Sequence, residues 1–138
     1  MNKPANPSPA LTVSIESFSY RKGLPAPPTE HGGGFVFDCR CVPNPGREER
    51  FKALTGQNQA VADYLRERSE ASAFELHCFA LIEQAVSSYL ERGFNSLEVA
   101  FGCTGGQHRS VYFAEKLAAK LQSVKNVTVK LSHRDMPR

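Results

Sequence analysis

One stretch constrains the fold more than any other: residues 97–121, LEVAFGCTGGQHRSVYFAEKLAAKL. The apolar run at 97–101 predicts a buried strand. Gly102, Cys103, Thr104, Gly105, Gly106, Gln107, His108, Arg109 and Ser110 follow it. Then Val111, Ala114, Leu117, Ala118 and Leu121 recur at helical spacing. A strand, a glycine-rich turn and a helix N-terminus in that order can hold an anion. Glycines let the backbone come close, the first helical turn leaves N–H groups free, and the helix dipole favours negative charge. Arg109 adds a planar fork of donors that suits phosphate. Glycines in such a turn can also answer a purely steric need. The clustering of Thr104, His108, Arg109 and Ser110 with them favours the anion.

The flanking sequence places this unit in an α/β domain. Residues 1–10, MNKPANPSPA, carry three prolines and no apolar pattern, and are expected to be a flexible leader. Leu11, Val13 and Ile15 alternate with polar residues as a strand, which Gly23 and Pro25 break. Residues 26–34, APPTEHGGG, have the composition of a flexible linker. Residues 35–42 are β-rich and end at Pro43-Asn44-Pro45-Gly46. Taken as a strand through residue 41, they put Cys39 and Cys41 on one face, turned into packing. Asp38 and Arg40 then stand near the strand's carboxyl end, where open α/β sheets bind ligands; a local ion pair is the equal alternative.

Residues 47–57 show no firm periodicity. Asn58 is a candidate cap for a short helix through Arg68, with Val61, Tyr64 and Leu65 inward. Ser72-Ala73-Phe74-Glu75 has the form of a capping box. The helix it opens places Phe74, Cys78, Leu81, Ile82, Ala85, Val86 and Tyr89 at helical spacing and stops at Gly93. Val127, Val129 and Leu131 alternate as a last strand, with Ser132, His133, Arg134 and Asp135 at its end. Strand, helix, strand in the second half implies parallel pairing. The expectation is a single domain over residues 11–138: a mainly parallel sheet of about four strands with flanking helices.

Composition limits the function classes. A chain of 138 residues can bury a core without metal or disulfides. Its formal net charge of +3 admits a phosphorylated ligand or nucleic acid without demanding either. Four cysteines and no secretory signal point to a reducing, cytoplasmic setting. No apolar run approaches a membrane span. Neither a cofactor nor a metal is called for.

Two chemistries are open at the loop. Residues 103–110 fit C-x-x-G-x-x-R-S, which resembles the phosphate loop of cysteine-dependent phosphatases. There Cys103 would be the nucleophile and Arg109 would hold phosphoryl oxygens. Such enzymes usually carry histidine before the cysteine, where this chain has Gly102, and need a general acid. Asp38, Asp63 and Asp135 are the only aspartates, and none lies in a recognisable acid loop.

The second resemblance spans most of the chain. Ser17-Phe18 through Gly23-Leu24-Pro25, Phe35-Val36-Phe37-Asp38 with Arg40, Pro43-Asn44-Pro45, Leu54-Thr55-Gly56, residues 102–111 and His133-Arg134-Asp135 occur in this order. Together they resemble the C-terminal domain of the RapZ family of RNase adaptor proteins. That resemblance implies a non-catalytic sensor of glucosamine-6-phosphate, with a contribution to binding small regulatory RNAs. By motif position the ligand-binding residues would be Thr104, Gly105, Gly106, His108, Arg109 and Ser110. Cys103 would be a structural member of the loop, and Asp38, Arg40, His133 and Arg134 secondary candidates. The family loop usually has lysine where Gln107 stands. Its basic tail is reduced here to Met136-Pro137-Arg138, and the cations are scattered among acids, so RNA is the weaker partner. The phosphate-loop sequence G-x-x-x-x-G-K-S/T of the family's nucleotide domain does not occur, so ATP binding is not carried over.

Overall fold

A computed structural model describes residues 10–26 and 32–137. The leader expected at residues 1–10 lies, apart from Ala10, outside the described residues, as does the centre of the linker at 27–31. Four strands form one sheet: β1 Leu11–Ser19, β2 Phe35–Asp38, β3 Ser96–Cys103 and β4 Val127–His133. Three α-helices accompany them: α1 Gln59–Arg66, α2 Ser69–Arg92 and α3 Arg109–Leu121.

The sheet is wholly parallel, in the order β2-β3-β1-β4. β3 and β4 are therefore parallel but not neighbours; each pairs with β1, which lies between them. The register aligns Ser19 with Cys103, Asp38 with Gly102 and Ser17 with His133. All four carboxyl ends thus come together at one edge, the place where α/β sheets bind ligands.

One face of the sheet carries the core. Leu11, Val13 and Ile15 lie beside Leu97, Val99 and Phe101, all at most 2% exposed. Helices α2 and α3 cover this face through aromatic rings: Phe79 and Phe113 pack on Phe101 at 6.4 and 6.2 Å, and Phe74 on Phe113 at 4.9 Å. The inward residues expected of α3, from Val111 to Leu121, are all buried. Helix α2 ends at Gly93 in the left-handed conformation (φ 74°), with Phe94 N–H bonded to the Tyr89 carbonyl.

Three local expectations are corrected. The strand at 35–42 stops at Asp38, and Cys39–Cys41 form a 3-10 turn. The Asp38 carboxylate accepts the Arg40 N–H at 2.9 Å and so caps that turn. Cys39 is buried and Cys41 exposed, because a turn does not keep the alternation of a strand. The capping box at Ser72 is not used: α2 begins at Ser69, and Ser72 N–H already bonds the Arg68 carbonyl at 3.2 Å. Leu81 is half exposed, on the outer side of α2. Among the described residues no helix is long and apolar enough to cross a membrane.

Candidate functional site

The loop between β3 and α3 sits at the common carboxyl edge of the sheet. Gly102 fits there because it lacks a side chain. A Cβ at this position would lie 2.6 Å from Tyr20 Cε2 and 2.7 Å from Phe18 Cε2, and Phe18 is fully buried. Gly106 takes φ 67° and passes close to the Ser19 backbone. The Ser19 hydroxyl donates to the Thr104 carbonyl at 2.6 Å and fastens the loop to β1.

Arg109, the first residue of α3, is 5% exposed. Its Nη1 donates to the carbonyls of Val42 at 2.9 Å and Arg40 at 3.3 Å, which orients the guanidinium. Its Nε is buried and has no partner among the described residues. Burial of an unpaired, charged donor is costly, so this orphan is a specific feature of the site. Nε and Nη2 form the side-on edge with which arginine grips an oxyanion.

His108 is 7% exposed, and its Nε2 donates to the Phe51 carbonyl at 2.8 Å. The ring is thereby fixed as an Nε2–H form beside Gly46. Gln107 Nε2 donates to the carbonyls of Leu54 and Lys52 at 2.7 and 2.8 Å. Asn44 Oδ1 accepts the Gly46 N–H at 2.9 Å. These bonds draw the segment after β2 against the loop. Beside the loop lies a cavity of about 210 Å³, lined by Cys103, Thr104, Gly105, Gln107, His108 and Arg109, and by Arg21, Asn44, Gly46 and Lys52 from the segments after β1 and β2. The amides of α3's first turn have no partner within the helix.

Of the residues expected to bind ligand, Thr104, Gly105, His108 and Arg109 line this cavity; Gly106 and Ser110 are not among its lining residues. The Ser110 hydroxyl accepts the Cys103 S–H at 3.1 Å, and Ser110 N–H points back at Cys103 Sγ at 3.4 Å. Cys103 is 2% exposed and bonds the helix terminus on both counts. No aspartate is among the residues that line the cavity. Asp38 pairs with Arg40 through two bonds of 2.9 and 2.7 Å, Asp63 with Arg66, and Asp135 with Arg134. Nor is there room at 102 for the histidine that phosphatases carry there.

The secondary candidates lie outside the cavity. Arg40, bound to Asp38, stacks over Tyr20 at 3.9 Å. The hydrogen bond from Arg40 is the main reason the Asp38 carboxyl is held below its usual range. His133 bridges the Ser17 hydroxyl and the Glu115 carboxylate, each at 2.7 Å, across β1, β4 and α3. Arg134 reaches the Gly23 carbonyl at 2.7 Å and ties down the chain after β1. Burial alone would raise the Asp135 carboxyl, but Arg134 and the Ser19 N–H outweigh it and hold it low.

Four lining residues outside the loop are not among the expected site residues. In the sequence Asn44 and Gly46 stand in a strand terminator, Asn44 also within the Pro43-Asn44-Pro45 motif of the resemblance, and Lys52 falls in a stretch without periodicity. Arg21 looks like a turn residue. The only signal that could have found them is the ordered series of short motifs around Pro43 and Leu54.

Known proteins match along almost the whole chain. The model of the RapZ C-terminal domain matches residues 11–137. Proteins described as "nucleotide-binding protein" are 42% identical over 128 residues in Endomicrobium trichonymphae and 40% identical over 127 residues in Mycobacterium marinum. Another, from Acidobacterium capsulatum, is 39% identical over 129 residues. These alignments cover 93%, 92% and 94% of this chain but only 42%, 40% and 40% of the relatives, so the chain spans about two-fifths of their length. A wholly parallel four-stranded sheet, the ordered motifs at its carboxyl edge and this match together show that the chain belongs to the RapZ C-terminal domain family.

Proposed function

We propose that the domain binds a phosphorylated metabolite of sugar-phosphate size at the β3–α3 loop and holds it without breaking it. The observation that carries this reading is Arg109. Its guanidinium is fixed by two carbonyls through Nη1, its Nε is buried and unpartnered, and the residue lines the cavity. A phosphoryl group accepting from Nε and Nη2 would satisfy the orphaned donor. It would also lie against the first turn of α3, where the helix dipole favours negative charge. Cys103 serves this site as a helix-terminal partner of Ser110.

Size favours a small ligand. A cavity of about 210 Å³ falls below the ~300–1,000 Å³ of pockets that enclose drug-sized molecules. The relatives' nucleotide-binding name belongs to proteins of which this chain covers two-fifths. Glucosamine-6-phosphate, implied by the family resemblance, is of suitable size. The test is a thermal-shift panel of sugar phosphates, nucleotides and inorganic phosphate. Saturable stabilisation by a sugar phosphate, lost in Arg109→Lys, is expected. Lysine keeps the charge and removes the two-donor edge. Stabilisation by nucleotides alone, or by nothing, would falsify the reading.

A further inference from the structure

We propose that Cys39 and Cys103 form a peroxide-sensing dithiol, whose oxidation to a disulfide abolishes ligand binding at the β3–α3 loop. The switch rests on the sugar-phosphate reading above, because its effect is read at that site.

Register sets the two thiols side by side. Asp38 pairs with Gly102 across the parallel strands β2 and β3, and Cys39 and Cys103 are the next residues on each. Neighbouring strands lie about 4.8 Å apart, within the range of Cα separations that a disulfide spans. Both thiols are free, 0% and 2% exposed, and belong to one core cluster. Burial pushes the Cys39 thiol well above its ordinary range, and Cys103 is the neighbouring charge that raises it most.

The two differ in access. Cys103 is among the residues that line the cavity, and Cys39 is not. A water-sized oxidant that enters the cavity therefore meets Cys103 first. The Cys103 sulfur takes one oxygen from hydrogen peroxide and becomes a sulfenic acid, and a water is released. Cys39 then attacks that sulfur and the S–O bond breaks. The Cys39 proton leaves with the hydroxyl as a second water. Two thiols have lost two electrons, and one peroxide has gained them.

The bridge disturbs both anchors of the site. Cys103 no longer has an S–H to donate to the buried Ser110 hydroxyl, a bond of 3.1 Å that ties the loop to the first turn of α3. Cys39 begins the 3-10 turn from which the carbonyls of Arg40 and Val42 orient Arg109 Nη1. Drawing the sulfurs to bonding distance pulls on that turn and on the end of β3 together. The guanidinium that holds the phosphoryl group loses its fixed position.

The test uses the full chain carrying Cys41→Ser, since Cys41 is exposed and its removal prevents links between molecules. After hydrogen peroxide treatment, thiols are mapped by peptide mass spectrometry and binding of glucosamine 6-phosphate is followed by thermal shift. A bridge between residues 39 and 103 is expected, with loss of the ligand's stabilisation. Dithiothreitol should restore both thiols and binding. In Cys39→Val, or in Cys39→Ala where valine does not fold, no bridge can close. Cys103 then advances to the sulfinic acid, which dithiothreitol does not reverse. Thiols 39 and 103 that survive peroxide, a bridge to Cys78 instead, a bridge that leaves binding unchanged, or a Cys39 variant that dithiothreitol restores would each overturn the switch and leave the phosphoryl site standing. A reduced protein that no sugar phosphate stabilises overturns the reading of the site, and the switch with it.

Discussion

The Gln107 side-chain amide lies 2.8 Å from the Lys52 carbonyl, and the same nitrogen donates to the Leu54 carbonyl at 2.7 Å. One side chain thus joins the β3–α3 loop to the segment that carries Lys52, another lining residue of the cavity. Gln107→Ala removes both bonds. Because the Lys52 carbonyl can turn to water, the stability cost is expected to be only about 1 kcal/mol. Sugar-phosphate affinity should fall by more than that cost explains, since the cavity's lining itself loosens. Urea denaturation and titration on the same sample separate the two effects. Affinity unchanged in Gln107→Ala would show that the brace has no part in binding.

Gly105 of the cavity and Gly56, packed against the start of α3, should respond in opposite ways to alanine. A Cβ on Gly56 would meet the backbone of His108 and lie 2.9 Å from Val111 Cβ, at the start of α3. Helix backbone cannot swing aside, so Gly56→Ala is expected to cost about 1–3 kcal/mol, as overpacking does. A Cβ on Gly105 would meet nothing within 4 Å. Gly105→Ala should leave the urea midpoint nearly unchanged and weaken ligand binding, because the added methyl lies where the ligand approaches. A Gly105→Ala protein that binds normally would remove this glycine from the site.

Acid should unfold the protein in part through Asp38 and Asp135. Both carboxyls are held below the ordinary aspartate value of 3.8 in the folded chain, Asp38 chiefly by its bond from Arg40, Asp135 by Arg134 and the Ser19 N–H against the effect of burial. A depressed folded value means that the unfolded chain takes up protons first. The stabilisation is therefore complete above the unfolded value near 3.8 and is lost as pH falls from there through the lower folded values. Asp135→Asn should be less stable than the parent at pH 6 and show a flatter decline between about pH 5 and pH 2. Parallel pH profiles for the two proteins would exclude Asp135 as a contributor.

Periodicity made most of the elements legible. Leu11, Val13 and Ile15, or Val111 to Leu121, alternate as their elements demand, and the strand–loop–helix unit stands out because no other local structure suits that order of residues. Several things were hidden for a physical reason. The turn after Asp38 depends on a side chain bonding its own neighbour's backbone, which composition does not distinguish from a continuing strand. The insertion of β1 between β3 and β4 is a long-range choice that no local pattern encodes. Arg21 and Lys52 look like ordinary surface cations until the fold brings them to line one cavity with Arg109. His133, by contrast, is drawn into a bridge between Ser17 and Glu115, away from the cavity, although its position at a strand end suggested otherwise.

Cys103 is where a structural and a chemical reading can be separated cleanly. Its sulfur donates to the Ser110 hydroxyl at 3.1 Å and faces the Ser110 N–H at 3.4 Å, with Ser110 itself fully buried. A partner that only caps the helix can be replaced by another small donor and acceptor. Cys103→Ser should therefore fold and retain sugar-phosphate stabilisation close to that of the parent. Cys103→Ala leaves the Ser110 hydroxyl buried without its donor and is expected to cost about 1–3 kcal/mol in urea unfolding. Neither variant should change hydrolysis of p-nitrophenyl phosphate, since no aspartate lines the cavity to protonate a leaving group. Turnover by the parent protein that disappears in Cys103→Ser would reverse the assignment and make the thiol a nucleophile.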